Sequence, residues 1–367
     1  MKVMTVFGTR PEAIKMAPLV QALKNDPYFE CVLCVTAQHR SMLDQVLELF
    51  ELTPDYDLDI MKQNQTLSMI TSNVLNGLDE VLTKEQPDIV LVHGDTTTTF
   101  AAALAAFYHQ IPVGHVEAGL RTYDKYSPFP EEMNRQLVSR IGDLFFAPTE
   151  TNRQNLVKEN IDPKKVVVTG NTVIDALQLV AGKPYEFEDE TLKTIDFENK
   201  RVITVTCHRR ENLGENMAAI FSAIADVARA HEDVVVIYPV HLNPKVRSEA
   251  AEYLAGISNV HLIEPLTYQP FVNLMAKSFF ILTDSGGMQE EAPALGKPVL
   301  VVRRETERPE AIAAGTAKLA GVEHDAIRAE MEELLNDPAA YSKMAHAVNP
   351  YGDGHACERI LAALKAF

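Results

Sequence analysis

Three acidic residues stand where an α/β chain most readily places chemistry, just past short β-branched runs. Asp95 closes His93-Gly94-Asp95 after Ile89 to Val92, and Glu117 opens Glu117-Ala118-Gly119-Leu120-Arg121 after Val113 to Val116. Glu131 leaves the stiff loop of Ser127-Pro128-Phe129-Pro130-Glu131-Glu132-Met133-Asn134-Arg135 and enters a helix. Ligands of open α/β sheets bind beyond the carboxyl ends of the strands, so these three residues converge on one edge of one lobe. Carboxylates gathered in this way can divide acid and base work, because repulsion and burial spread their proton affinities. The helix dipole alone also accounts for Glu131 and Glu132 in a first turn. Alternation puts His93 with Asp95, and His115 with Glu117, on shared faces, as a metal site could begin. No third and fourth ligand follows at helical spacing, so the reading is metal-free, and each His is equally suited to packing and orienting its loop.

Cations and backbone donors accompany the acids. Gly8-Thr9-Arg10-Pro11-Glu12-Ala13-Ile14-Lys15 is a glycine turn with a Pro suited to opening a helix and two cations, Arg10 and Lys15. It is neither the three-glycine dinucleotide fingerprint nor a Walker loop, which removes support for NAD and nucleoside triphosphates. An ordinary strand-to-helix turn with exposed cations is the alternative. Later, Thr206-Cys207-His208-Arg209-Arg210-Glu211-Asn212 follows a strand in the equivalent position. His208 can donate to an anion or move a proton, and Arg209 can pair with an anion. Thr283-Asp284-Ser285-Gly286-Gly287-Met288-Gln289-Glu290-Glu291 leads a strand into a glycine-rich helix start, whose free N–H groups favour phosphate. Glu290 or Glu291 could take ribose hydroxyls, and Arg308 adds a nearby cation.

The elements that must position these residues alternate short apolar runs with amphipathic helical segments, the pattern of parallel sheets covered by helices. Strands are predicted at Val3 to Phe7, Val32 to Thr36, Ile89 to Val92, Val113 to Val116 and Leu144 to Ala147. A second series is predicted at Val166 to Thr169, Val202 to Thr206, Val234 to Tyr238, Val260 to Ile263, Phe279 to Thr283 and Val299 to Val302. Predicted helices include Ala17 to Lys24, Leu43 to Leu49, Glu131 to Ile141 and Ala218 to Ala230. A strand, an Asp-led turn, a helix, a Pro-Val strand and a basic loop occur at Asp88 to Arg121 and again at Phe279 to Arg304. That echo predicts two doubly wound lobes, residues 1–170 and 171–352, with Lys183 to Lys200 a polar connection inside the second.

Composition limits the partners. The chain has 367 residues, enough for about two domains. Lys+Arg 34 against Asp+Glu 51 gives a net charge of −17, which argues against a nucleic-acid-wrapping surface. No apolar run approaches the roughly 18 residues of a membrane span. Four cysteines make no disulfide scaffold, and Cys31 and Cys34, despite redox-motif spacing, read as core residues of a strand. With no secretory pattern at Met1 to Gly8, the expected location is cytoplasmic.

Taken together, Gly8 to Lys15, His93 to Asp95, His115 to Arg121, Phe129 to Arg135, His208 to Asn212 and Thr283 to Gly287 resemble the non-hydrolysing UDP-N-acetylglucosamine 2-epimerases over essentially the whole chain. The resemblance implies a glycosyltransferase-B-like α/β fold of two Rossmann-like lobes with an interlobe cleft. A carboxy-terminal helix at about 353–367 would return to the first lobe, and the protein would be a homodimer. It implies reversible C2 inversion between UDP-GlcNAc and UDP-ManNAc without a cofactor, by elimination of UDP to 2-acetamidoglucal and re-addition, supplying bacterial surface polysaccharides. Asp95, Glu117 and Glu131 would form the acid/base cluster, with Arg10, Lys15 and His208 on the sugar and diphosphate side. Ser285, Gly286 and Gly287 would bind diphosphate, Glu291 ribose, Phe271 and the Leu266 backbone uracil, and Arg308 would lie near the phosphate. Leu266 stands where some relatives carry Gln. UDP-GlcNAc is also implied as an allosteric activator, through Gln38, Gln65, Glu131, Arg209 and His241; Ser41 and Asn64 depart from polar or basic side chains of some relatives. A glycosyltransferase, a hydrolysing epimerase and a non-catalytic UDP-sugar sensor are the competing readings.

Overall fold

Short apolar runs bounded by Gly, Pro and Asp become parallel strands because helices, rather than tight hairpins, connect them. The computed structural model describes residues 1–37, 40–62 and 65–367, with the Ser41 side chain also outside the described set. The chain divides into two units, Met1–Ala176 with Tyr351–Phe367, and Leu177–Pro350. Among the described residues, no helix is long and apolar enough to cross a membrane.

In the first unit the strands are β1 (Lys2–Phe7), β2 (Glu30–Val35), β3 (Tyr56–Asp57), β4 (Ile89–His93), β5 (Val113–Val116), β6 (Leu144–Ala147) and β7 (Val166–Val168). They form one sheet in the order β3-β2-β1-β4-β5-β6-β7. Val6 lies opposite Cys34 on one side and Val92 on the other, and Val92 lies opposite His115. The direction of winding therefore reverses between β1 and β4, and the loops after those strands splay apart there. Covered on both faces, β4 is buried along its whole length. The alanine-rich helix Thr97–Tyr108 approaches closely because Ala101, Ala102, Ala103, Ala105 and Ala106 are all buried.

The second unit repeats the plan with β8 (Arg201–Thr206), β9 (Val234–Pro239), β10 (Val260–Ile263), β11 (Phe280–Thr283), β12 (Val299–Val301) and β13 (Ala317–Leu319), in the order β10-β9-β8-β11-β12-β13. Its reversal falls between β8 and β11. A core around Val205, Phe221, Tyr238, Phe280 and Leu300 fills the space between sheet and helices.

Several expectations need revision. β3 and β13, of two and three residues, are too short to carry a period. The first helix spans Arg10–Asn25 rather than starting at Ala17, because Thr9 and Glu12 form a capping box and Pro11 occupies the first turn. Lys183 to Lys200 is no mere polar connection. Phe187 and Leu192 are buried with Val202, Val235 and Ile237, joined by Tyr185, Ile195 and Phe197, and the rings of Phe187 and Phe197 stack at 5.4 Å. The aromatic residues were spaced too irregularly among acids to show either periodicity. Cys34 is buried, and burial pushes its thiol up to about 12 and that of Cys31 to about 11.

The closing helix, Ala356–Ala366, belongs to the first unit and is held at both ends. Lys365 Nζ pairs with Asp26 at 2.6 Å. At its start, Ala356 and Cys357 donate their N–H groups to the Asp175 carboxylate at 3.2 and 2.9 Å. Asp175→Ala is expected to lower unfolding free energy by about 1–3 kcal/mol, since two buried N–H groups lose their acceptor. Urea titration would show the midpoint falling at constant slope, and an unchanged midpoint would refute the anchoring role.

Candidate active site

The winding reversal of the first unit is bridged by a buried carboxylate that none of the motif assignments gave a role. Gly8 is required where β1 ends, since a Cβ there would fall 1.9 Å from Thr36 Oγ1. The chain turns, Thr9 caps the helix, and Glu12 reaches back to accept the N–H groups of Gly8 (3.1 Å) and Thr9 (2.8 Å). Its other oxygen accepts the hydroxyls of Thr96 (2.7 Å) and Thr99 (3.1 Å), which belong to the loop and helix after β4. Burial pushes the Glu12 carboxyl up, and these donors oppose the shift. The capping-box spacing was the available signal.

Beyond β4 and β5 the chain bends sharply. Gly94 and Glu117 have φ of 67° and 62°, a left-handed conformation that costs a non-glycine residue about 1 kcal/mol or more. Lys15 Nζ donates to Glu117 Oε1 at 2.5 Å, and Asn171 Nδ2 donates to the same oxygen at 3.0 Å. His93 Nε2 lies 3.4 Å from Oε2. Arg135 Nη2 donates to Asp95 Oδ2 at 2.5 Å, while Asn134 Nδ2 donates to the Asp95 carbonyl at 2.9 Å. Burial pushes the Asp95 carboxyl up, Arg135 pulls it down, and the neighbouring Glu117 adds to the rise. Burial also depresses both imidazoles, His93 to about 3 and His115 to about 4, so each is neutral near pH 7. His115 Nε2 donates to the Gly94 carbonyl at 2.7 Å, which assigns its tautomer.

The two acids in the first turn of Glu131–Ile141 separate. Glu132 turns inward to accept the N–H groups of Thr122 (3.0 Å) and Tyr123 (3.1 Å), bracing the loop after β5. Burial raises its carboxyl, but these donors, Gln136 and Arg135 together hold it below its ordinary value. Glu131 instead lines a cavity of about 370 Å³ with Lys15, His93, Asp95, Glu117 and Asn134. Glu131, Asn134 and Arg135 share one helix face at i, i+3 and i+4, a pattern that could have assigned Arg135 a role from sequence. Lys15 and all three candidate carboxylates thus meet at one cavity, whereas Arg10 is not among its lining residues. Each of two carboxylates has a cation on one oxygen, an arrangement able to hold charge or exchange a proton through the other.

The second unit uses the same bracing device. Asp284, fully buried after β11, accepts the N–H groups of His208 and Arg209, both at 2.8 Å, and Asn212 Nδ2 at 3.1 Å, all on Oδ2. His208 stacks on His241, ring centroids 5.0 Å apart, and burial depresses its imidazole, with Asp284 opposing. Arg209 Nε donates to the Asp284 carbonyl at 3.2 Å. Ser285, Gly286 and Gly287 lead into the helix Met288–Ala294, and Ser285 N–H donates to Thr283 Oγ1 at 2.9 Å. Of the two acids there, Glu290 is buried and pairs with Arg308, while Glu291 is half-buried. Leu266 and Phe271 are half-buried just beyond β10, at the carboxyl edge of the same sheet. Gln65 is half-buried shortly before the helix Leu67–Glu85, and Gln38 lies outside the described residues, as do Asn64 and the Ser41 side chain.

A family model described as UDP-N-acetylglucosamine 2-epimerase matches residues 21–365. A UDP-N-acetylglucosamine 2-epimerase of Escherichia coli (strain K12) is 56% identical over 370 residues, spanning 100% of this chain and 98% of its own. The chain belongs to the non-hydrolysing UDP-N-acetylglucosamine 2-epimerase family. Members of this family are isomerases, and among solved relatives the fold agrees closely. The UDP-GlcNAc 2-epimerase of Neisseria meningitidis, bound to UDP-GlcNAc, is 54% identical with a TM-score of 0.86 over 100% of both chains. That of Methanocaldococcus jannaschii, in complex with UDP-GlcNAc and UDP, is 34% identical with a TM-score of 0.76, again over 100% of both. The two Rossmann-like units accordingly form a glycosyltransferase-B-like epimerase fold.

The buried imidazoles give the first unit of this chain a defined acid response. An unfolded imidazole titrates near about 6.5, so between that pH and about 4 the unfolded chain binds more protons than the folded one. The contribution from keeping His93 and His115 neutral is present in full above about pH 6.5. It is lost as pH falls, at up to ~1.4 kcal/mol per pH unit for each. The raised carboxyls of Glu12 and Asp95 act in the opposite sense, so the comparison with a variant isolates the imidazole. Urea unfolding between about pH 7.5 and 4.5 is expected to give a shallower pH slope for His115→Asn than for the unaltered chain. Equal slopes would contradict the buried neutral imidazole.

Proposed function

We propose that this chain interconverts UDP-GlcNAc and UDP-ManNAc by eliminating UDP to 2-acetamidoglucal and adding it back with C2 inverted. The observation that carries this reading is the pair of ion-paired carboxylates, Asp95 and Glu117, at one cavity with Glu131. The C2 hydrogen of the sugar is too weakly acidic for simple deprotonation. Breaking the C1–O bond first builds oxocarbenium character, which acidifies C2–H and is stabilised by neighbouring carboxylates. A carboxylate then takes the C2 proton, the C1=C2 bond forms, and the C1–O electron pair leaves with UDP. In return, UDP oxygen attacks C1 as a carboxylic acid group delivers a proton to the opposite face of C2. The distribution of acid and base among Asp95, Glu117 and Glu131 stays open, while Lys15 and Arg135 keep the cluster charged.

In this reading the second unit takes UDP: backbone N–H groups of Ser285–Gly287, His208 and Arg308 stabilise the diphosphate, Glu291 the ribose, and Phe271 with the Leu266 backbone the uracil. UDP-GlcNAc bound to the Neisseria relative supports the same ligand here. We further propose that UDP-GlcNAc activates its own conversion, since Arg209 and His241 both adjoin His208. The active form would be a homodimer in the cytoplasm, supplying UDP-ManNAc for bacterial surface polysaccharides.

The direct test supplies UDP-GlcNAc alone in D2O and follows anomeric NMR signals. UDP-ManNAc should accumulate to a constant ratio, with deuterium at C2 of both epimers. A transferase would leave UDP-GlcNAc unchanged, a hydrolysing enzyme would release free ManNAc, and full retention of the C2 hydrogen would overturn the proton-transfer route. Asp95→Asn and Glu131→Gln are each expected to lower kcat about 10²-fold or more, with cooperative unfolding preserved. Turnover near that of the unaltered chain in both would remove these two carboxylates from the chemistry.

A further inference from the structure

Glu117 is served by a residue outside the motifs and outside the cavity lining. Asn171 follows β7 and precedes the helix Thr172–Ala181, and it is 3% exposed. Its backbone N–H donates to the Tyr351 carbonyl at 2.7 Å, its Oδ1 accepts the Val173 N–H at 3.1 Å, and its Nδ2 donates to Glu117 Oε1 at 3.0 Å. These partners define the amide's orientation, since the helix N–H requires the oxygen and the carboxylate requires the nitrogen.

The position is tied to the course of the chain. The backbone passes from the first unit to the second at Ala176/Leu177 and returns at Pro350/Tyr351. Asn171 is hydrogen-bonded to Tyr351 at the return and begins the helix that makes the outward passage. Just beside it the two segments touch through glycines. A Cβ on Gly170 would fall 3.2 Å from Gly352 Cα, and one on Gly352 would fall 3.3 Å from Gly170 Cα. Both residues also have positive φ, 85° and 134°. Side chains there would push the segments apart and move Asn171 away from Glu117.

We infer that Asn171 is a positioning residue that aims the Glu117 carboxylate and ties its orientation to the two points where the chain passes between the units. The inference rests on the reading of Glu117 as a working carboxylate. The charged and titratable groups facing Glu117 include Lys15 from the first helix, His93 from β4, Asp95 beyond it and His115 from β5. Lys15 supplies charge through a flexible stem. Asn171, held through both ends of its side-chain amide and through its backbone N–H, supplies direction.

Two substitutions separate this role from helix capping. Asn171→Asp keeps the cap acceptor and the backbone bond to Tyr351 but sets an anion against Glu117. Asn171→Ser keeps a cap acceptor too short to reach Glu117. Both are expected to lower kcat by about tenfold or more with KM within about twofold. Asn171→Asp should also move the acid limb of kcat upward by about one pH unit, since a second negative charge favours protonation. Thermal unfolding of Asn171→Ser should remain close to that of the unaltered chain, whereas Asn171→Asp, which buries one anion beside another, should unfold at a lower temperature. Unchanged kcat and pH profile in both variants would overturn the inference, as would a rate loss that vanishes once activity is expressed per folded molecule. Glu117→Gln, measured alongside, separates the two layers. If it turns over normally, the reading of Glu117 fails; if it is inactive while both Asn171 variants behave normally, only the positioning role fails.

Discussion

The first unit is organised around holding two partly buried carboxylates, Asp95 and Glu117, beside one cavity. Taking a carboxylate out of water costs several kcal/mol unless a partner and further hydrogen bonds compensate. Glu117 has Lys15 and Asn171 on one oxygen, and Asp95 has Arg135. Those donors come from the first helix, the segment after β7 and the Glu131–Ile141 helix, so the site exists only when three sequence-distant elements are in register. Glu117 also sits in left-handed backbone, a conformation that surrounding structure must impose. Strain and buried charge at one position are poor choices for stability alone. They fit the role proposed for Glu117, in which a carboxylate faces a reacting atom and changes protonation during turnover.

Both units brace their strand-end loops with a buried acid. Glu12 gathers the Gly8 and Thr9 N–H groups and the Thr96 hydroxyl, joining the loops after β1 and β4. Asp284 gathers the His208 and Arg209 N–H groups and the Asn212 amide, joining the loops after β8 and β11. In each case the brace crosses the winding reversal, where neighbouring loops diverge and no ladder hydrogen bonds hold them. The two braces are not counterparts in the sequence echo: Glu12 lies outside it and rises from a helix, whereas Asp284 lies within it at a strand end.

Much of this was legible before any coordinates. The β-branched runs marked the longer strands because central parallel strands are apolar on both faces, and the helix Glu131–Ile141 begins and ends where the pattern placed it. The short edge strands β3 and β13 escaped because two or three residues hold no period. Aromatic residues dispersed among acids hid the cluster of Tyr185, Phe187 and Phe197. At the site, motif spacing singled out Asp95, Glu117, Glu131 and Lys15, which line one cavity, since strand ends are predictable. The supporting residues were less visible: Asn171 meets Glu117 only through tertiary packing, 54 residues away in sequence. Arg10, equally prominent in its motif, is not among the residues lining that cavity.

The central claim is that this carboxylate cluster moves a proton at C2 while UDP departs and returns. Its most direct test bypasses the nucleotide sugar: 2-acetamidoglucal and UDP are supplied together to the unaltered protein in D2O and followed by NMR. Formation of both UDP-GlcNAc and UDP-ManNAc, each carrying one deuterium at C2, is the expected result. Failure to form either, from a preparation that still epimerises UDP-GlcNAc, would contradict it.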